Sequence, residues 1–415
     1  MTRAALNLTD QLDAMRADLG ELYRDLHAHP ELAFAEHRTS AEIVRRATAL
    51  GYEVTADVGR TGVVARLANG PGPTVLLRAD MDALPVREQT GLPYASTATD
   101  PETGGPVMHA CGHDMHVTCL LGALRVLAGA RQSWSGTIVA VFQPAEENGR
   151  GAEAMIADGL FTRFGKPDVV LAQHVGPFPY GMVALHPGPA LAATDALRIT
   201  LHGKGGHGSR PETAVDPVVM AAATVLRLQT IVSREISGTD TAVVTVGAVH
   251  AGTAHNIIPD RAELQLNIRT FTPTVRTRVL AAVDRIVRAE SAASAAPRDP
   301  DIAPIDTFPV LVNDESAVDR TATALRAALG HDKVVDPGPL TGSEDCGLLA
   351  TESQSPLCYW FFGGVDPQHF LNALSAGTVE QDIPSNHSPH FAPEPEPTID
   401  TGVRAMVTAA LEWLD

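Results

Sequence analysis

Two textures of hydrophobic patterning divide this 415-residue chain, and together they leave few folds open to it. In the first texture, helix-spaced apolar residues alternate with short, nearly continuous apolar strands. Leu12, Met15, Leu19, Leu22 and Leu26 recur at helical spacing between residues 10 and 29, with Asp10 as N-cap and Pro30 as the stop. Strands are expected at 62–67, 74–78, 136–142 and 169–173, and a helix over 115–130. Strands uninterrupted by polar residues are buried on both faces, which implies a parallel or mixed sheet covered by helices. The second texture begins after Pro187-Gly188-Pro189. Longer, alternating strands are expected there at 195–202, 241–249 and 262–270, separated by helical runs at 216–236 and 274–292. That pattern describes two helices on one face of an antiparallel sheet. The stretch 292–304, rich in Ala, Ser and Pro, reads as a loop, and past about Asn313 the first texture returns. The expected fold class is therefore α/β. A mixed-sheet domain over 1–191 and 306–415 is interrupted by a smaller α+β domain over 192–305, consistent with a length beyond what one core supports.

Charge and cysteine usage narrow the partners. A net charge of −18 disfavours nucleic acid and anionic membranes, although an arginine or a metal can invert the field inside one cleft. Residues 1–10 contain no apolar signal region, and no window reaches the roughly 18 apolar residues that span a bilayer. The spacing of Cys111, Cys119, Cys346 and Cys358 gives no disulfide framework, and a reduced, cytoplasmic compartment is the simplest expectation.

The chemistry concentrates in Met108-His109-Ala110-Cys111-Gly112-His113-Asp114-Met115-His116. Thiolate and imidazole are donors that zinc and its borderline-soft neighbours prefer. Cys111 and His113, two apart in a tight turn, can point at one spot. Glu146-Glu147 closes the strand at 136–142, and His174 closes the next. Ligands beyond the carboxyl ends of successive strands describe an open catalytic metal site, whereas a zinc finger carries two close pairs. Adjacent carboxylates can divide the labour: one binds a cation, the other takes a proton from the water that the cation acidifies. Asp82, two residues after Asp80, can orient a ligating imidazole. Each signal has an ordinary reading on its own: a core histidine at His174, a helix cap at Asp82, a polar surface loop around His387. Gly203-Lys204-Gly205-Gly206-His207-Gly208 matches a dinucleotide-binding glycine pattern in form only. It lacks the acidic residue about twenty positions on, and Pro211 interrupts the helix start, so a flexible loop presenting His207 fits better.

Taken together, these residues resemble the aminoacylase and carboxypeptidase family of dinuclear metallohydrolases, peptidase family M20. The nearest branch holds hippurate hydrolase and the amidohydrolases of auxin–amino-acid conjugates. The resemblance rests on Arg24-Asp25-Leu26-His27-Ala28-His29-Pro30-Glu31-Leu32, Arg78-Ala79-Asp80-Met81-Asp82-Ala83-Leu84-Pro85, Met108 through Asp114, and Gln143-Pro144-Ala145-Glu146-Glu147. It continues through Gly205-Gly206-His207, Asn256-Ile257-Ile258-Pro259, Gly342-Ser343-Glu344-Asp345 and His387-Ser388-Pro389.

The resemblance implies metal ligands at Cys111, His113, Glu147, His174 and His387, a general base at Glu146, and two divalent ions, zinc first, with manganese, cobalt or nickel as alternatives. It implies that the inserted domain is a lid carrying a homodimer interface. His207 would then reach the partner's site and hold the scissile carbonyl, while Asn256 and Arg269 grip the substrate carboxylate. The implied activity is hydrolysis of N-acyl or N-aroyl amino acids. A dipeptidase or carboxypeptidase of the same fold, or a binding homologue without turnover, are the competing readings. Two departures from the family pattern, Cys346 where Phe is common and Glu212 where His is common, bear on the substrate rather than on the hydrolytic core.

Overall fold

The computed structural model describes residues 8–414 and divides into two compact units. The first seven residues of the leader-free stretch expected at 1–10 lie outside the described residues.

The larger unit comprises Met1–Ala190, Val312–Gly338 and Asp345–Asp415. Its centre is an eight-stranded mixed sheet. The order is Glu53–Val58, Gly62–Asn69, Gly136–Gln143, Thr74–Asp80, Val169–Pro179, Leu357–Val365, Val183–Ala184 and Val334–Val335. Parallel pairs occupy the middle, where Thr74–Asp80 lies between Gly136–Gln143 and Val169–Pro179. Helices Leu8–Ala28, His113–Gly129 and Pro395–Trp413 pack over the sheet, and their apolar residues merge with its own in one core. The helix His113–Gly129 is buried along nearly its whole length, which explains why its sequence is apolar all round.

The smaller unit comprises Leu191–Leu311 and Pro339–Glu344. A four-stranded antiparallel sheet runs Ala242–Ala251, Arg261–Thr270, Ala193–His202, Asp301–Phe308. Helices Pro217–Leu228 and Pro273–Ala293 share a second core with it. Both start on a side-chain cap: Asp216 accepts from Val218 N and Thr272 from Val275 N.

The structure corrects three details of the sequence reading. Asp10 is not an N-cap, because the first helix already begins at Leu8. The loop expected over 292–304 ends in a strand, Asp301–Phe308, which tolerates Pro304 because it lies at the sheet edge. The strand expected to end at residue 173 continues to Pro179, so His174 lies within a strand and not just past one. No helix among the described residues is long and apolar enough to cross a membrane.

Candidate metal centre

All five expected ligands lie in the larger unit and form one connected group. Cys111 and His113 flank Gly112, whose φ of +86° and proximity to Val175, only 2.4 Å from where a Cβ would sit, exclude any other residue from the turn. Cys111 Sγ is 3.4 Å from His174 Nε2. His113 Nε2 is 3.7 Å from Glu147 Oε1, and Glu147 Oε2 is 3.4 Å from His387 Nε2. His387 is held by its own N–H, which donates to Ala110 O at 2.7 Å, and its backbone is left-handed, with φ of +71°. Asn386 donates to the carbonyls of Cys111 and Val175, tying this late loop to the turn and to the central strand.

Hydrogen bonding sorts the donors. Asp80, His113, His116 and His174 all lie close enough to share one ion. His116 Nε2 accepts from Val175 N at 2.8 Å, so its proton sits on Nδ1 and is donated to Asp80 Oδ1 at 2.5 Å. The other oxygen of Asp80 accepts from Arg78 at 2.6 Å. Asp80 and His116 are thus committed to protein partners. His174 donates Nδ1–H to Val175 O at 2.8 Å, which leaves the Nε2 lone pair directed at the cluster. Both ring nitrogens of His113 and Oε1 of Glu147 are buried without a hydrogen-bond partner. Orphaned buried polar atoms of this kind are costly unless something else satisfies them. The set that remains open is a thiol, imidazoles and a carboxylate, which suits a zinc-like divalent ion.

Charge tells the same story. Burial alone would depress the His113 imidazole, but Asp80, Asp82 and Glu147 raise it to about 10. Burial pushes Glu147 up to about 7, and holds the Cys111 thiol well above its ordinary range with help from Glu147 and Glu146. A cation placed here would reverse these shifts by displacing protons.

Asp82 sits behind the pair of glutamates. Its two oxygens accept the N–H groups of Glu146 and Glu147, both at 3.0 Å, and Oδ1 also lies 3.3 Å from His113 Nδ1. It caps no helix, since none occurs between Asp80 and His113. Glu146 Oε2 is 4.0 Å from His113 Nε2, within the same chamber. Sequence reasoning gave no role to Arg78, His116 or Glu36. The first two were signalled only by a charged residue inside an apolar strand and by a histidine one helical turn after His113.

His207, Asn256 and Arg269 lie in the smaller unit. The short strand Gly206–His207 pairs with Ile257–Ile258, and Gly208 N donates to Asn256 O at 2.9 Å, so His207 and Asn256 sit together on one exposed pair of short strands from distant parts of the chain. Ser209 N donates to His207 Nδ1 at 3.1 Å, which places the imidazole proton on Nε2 as an outward donor. Arg269 is elsewhere. The strand Arg261–Thr270 starts just after Ile257–Ile258, and Arg269 lies eight residues along it, about 26 Å at the usual rise. Its guanidinium is half-buried against neutral oxygens: Asn267 Oδ1 at 2.8 Å, Ser343 Oγ at 3.0 Å and Thr341 O at 3.2 Å. One copy of this unit therefore does not gather the three residues.

Known proteins are similar to this chain over most of its length. The model of peptidase family M20/M25/M40 matches residues 76–412. Hippurate hydrolase of Campylobacter jejuni is 37% identical over 347 residues, covering 83% of this chain and 88% of that protein. N-acetyl-L-cysteine deacetylase of Bacillus subtilis is 37% identical over 354 residues, covering 85% and 82%. Among solved structures, a Bacillus subtilis protein described as a dinuclear metal binding peptidase of family M20 superposes with a TM-score of 0.75 at 28% identity, over 96% of this chain and 98% of its own. A fold, a charge-dense ligand cluster and relatives that span nearly the whole chain converge on one assignment: the protein is a member of peptidase family M20/M25/M40.

Proposed function

We propose that this protein is a metal-dependent amidohydrolase that splits N-acyl or N-aroyl amino acids into a carboxylate and a free amino acid. The observation that carries the reading is the convergence of Cys111, His113, Glu147, His174 and His387, with Glu146 beside them on a backbone held by Asp82. These five side chains would hold two divalent ions, zinc first, with manganese, cobalt or nickel as alternatives. When bound, the ions acidify water and polarise the amide carbonyl. Glu146 takes the proton of the attacking water and returns it to the leaving nitrogen. Asp82 keeps Glu146 and Glu147 in register by accepting both of their amides. His207, with its proton on Nε2, donates to the carbonyl oxygen as charge develops there. Asn256 and Arg269 hold the substrate carboxylate, and the neutral surroundings of the guanidinium leave its charge available to an anion.

The smaller unit serves as a lid and as the interface of a homodimer. Its outermost strand, Ala242–Ala251, is long and exposes Val243 and Val249, and the helix Pro217–Leu228 exposes Val219 and Leu226. Apolar, unpaired edges of that length are otherwise an aggregation hazard. A partner copy would also resolve the separation of Arg269 from His207 and Asn256. We place the enzyme in the cytoplasm, in line with its buried free cysteines.

The test is a panel of N-acetyl, N-benzoyl and indole-acyl amino acids, one substrate methyl ester and one matching dipeptide, each assayed with metal-loaded enzyme. The acyl amino acids should be cleaved, with the ester and the dipeptide at least ~10-fold poorer in kcat/KM, the scale of one lost charged contact. Faster cleavage of the dipeptide, or equal rates for ester and acid, would contradict the reading.

A further inference from the structure

Glu36 is a carboxylate with no exposure to solvent, more than a hundred residues in sequence from Glu146 and Glu147. It precedes the helix His37–Ala49, yet its side chain makes no cap. It reaches instead across the sheet end. Glu36 Oε1 accepts the Ala145 N–H at 2.9 Å, and Oε2 accepts the Thr61 hydroxyl at 2.5 Å. The sheet order explains the meeting. Gly62–Asn69 and Thr74–Asp80 flank Gly136–Gln143 on opposite sides, so Thr61 and Asp82 stand on either side of the chain as it leaves residue 143.

Three consecutive amides of that segment are therefore taken by two buried carboxylates. Ala145 N–H goes to Glu36, while Glu146 N–H and Glu147 N–H go to Asp82. Ala145 is left-handed, with φ of +50°, a conformation that is strained for a side-chain-bearing residue. Its carbonyl accepts from Gly151 N at 3.1 Å, and Gly151 admits no Cβ because Pro144 O would lie 1.6 Å from it. A non-glycine residue persists in such a turn only where the surroundings over-determine it. Burying Glu36 so close to Asp82 is itself unfavourable: burial, reinforced by the Asp82 charge, pushes Glu36 up to about 7. An expensive carboxylate used to hold one strained amide marks a turn whose geometry matters.

We infer that Glu36 is a positioning residue: through the Ala145 N–H it fixes the left-handed turn that directs Glu146 and Glu147 into the metal chamber. The inference rests on the reading of Glu146 as base and Glu147 as ligand. What Glu36 supplies is an acceptor at the right distance, and not a negative charge. The Glu36→Asp variant keeps the charge but withdraws the acceptor by one methylene. The Glu36→Gln variant loses the charge but keeps an oxygen for Ala145 and a group able to donate to Thr61.

The two variants are compared in kcat and KM at full metal loading, and in amide exchange of the segment 144–148 in metal-free protein. Glu36→Asp should lower kcat at least ~10-fold with KM within about 3-fold, the scale seen when groups behind metal ligands are removed, and should speed exchange locally at 144–148. Glu36→Gln should restore both to near wild type. The inference is overturned if Glu36→Asp behaves as wild type, or if Glu36→Gln is as impaired as Glu36→Asp. It is also overturned if exchange rises evenly over the larger unit, which is what a merely stabilising role produces. Glu146→Gln is assayed alongside. If that variant turns over normally, the base assignment fails, while the exchange result still decides what Glu36 does to the turn.

Discussion

The larger unit buries Cys111, His113, Glu146 and His174 and braces them from behind, leaving His387 exposed, whereas the smaller unit carries His207 and Asn256 on an exposed pair of short strands. Behind the metal cluster, Arg78 joins Asp80, Gln143 and Asp345 without any exposure, and Gln143 donates to Asp345 in turn. His27 bridges Glu88 and Asp114, the residue that follows His113. His207, by contrast, is oriented by little more than Ser209. The difference teaches a division of labour. Holding cations against mutual ligand repulsion calls for rigid, desolvated geometry, while closing on a substrate calls for groups that cost little to move. Changes to the ligands should therefore couple activity to metal content, changes to the buried Arg78 network should lower stability, and changes in the smaller unit should affect kinetics alone.

The largest effect expected is from the ligands. Removing metal by chelation, or substituting Cys111→Ser or His113→Ala, should lower kcat/KM by ~10⁴-fold or more, with loss of bound metal by elemental analysis. Activity that survives chelation would remove the basis of the comparison. Arg78→Leu comes next. It leaves Asp80 and Asp345 buried without their shared cation, and denaturant unfolding should show a loss of about 3–5 kcal/mol. His207→Ala should reduce kcat by roughly 10²-fold, as for other oxyanion donors, with Tm and metal content unchanged. A fall in Tm there would blur the division between the units.

The pH dependence of folding offers a finer test. Burial alone would lower the His27 imidazole, but hydrogen bonds and charge from Asp114 and Glu88 raise it to about 10. A folded-state value above the unfolded one stabilises fully below about 6.5 and is lost as pH rises toward 10. His27→Gln should flatten that decline, measured by unfolding across the same window. The smallest effect belongs to Arg269→Lys, which keeps the charge but not the fork. It should raise KM about 10-fold for acyl amino acids and leave the methyl ester unaffected.

Much of this was legible in the sequence because the informative signals are local. Cys111, Gly112 and His113 lie in one turn, Glu146 and Glu147 are adjacent, and uninterrupted apolar strands report a sheet buried on both faces. His387 is different: its proximity to Glu147 depends on a loop that returns from the far end of the chain. No spacing could reveal that Asp80 is spent on His116 and Arg78, and His116 on Asp80 and the Val175 N–H, since the same residue types within reach of an ion look like ligands until their hydrogen bonds are counted. The edge strand Asp301–Phe308 escaped notice because Pro304 and an alanine-rich approach imitate a loop. Glu36 was invisible, because an acid ahead of a helix is the commonest of surface features and only the sheet order brings it to Ala145.

One pair of readings on a single variant tests the central claim most directly: metal stoichiometry and turnover of an N-acyl amino acid by Glu146→Gln. The account expects a full complement of divalent metal with hydrolysis reduced by ~10³-fold or more, because ligation and proton transfer reside in different side chains. Hydrolysis near the wild-type rate, or loss of metal along with activity, would contradict it.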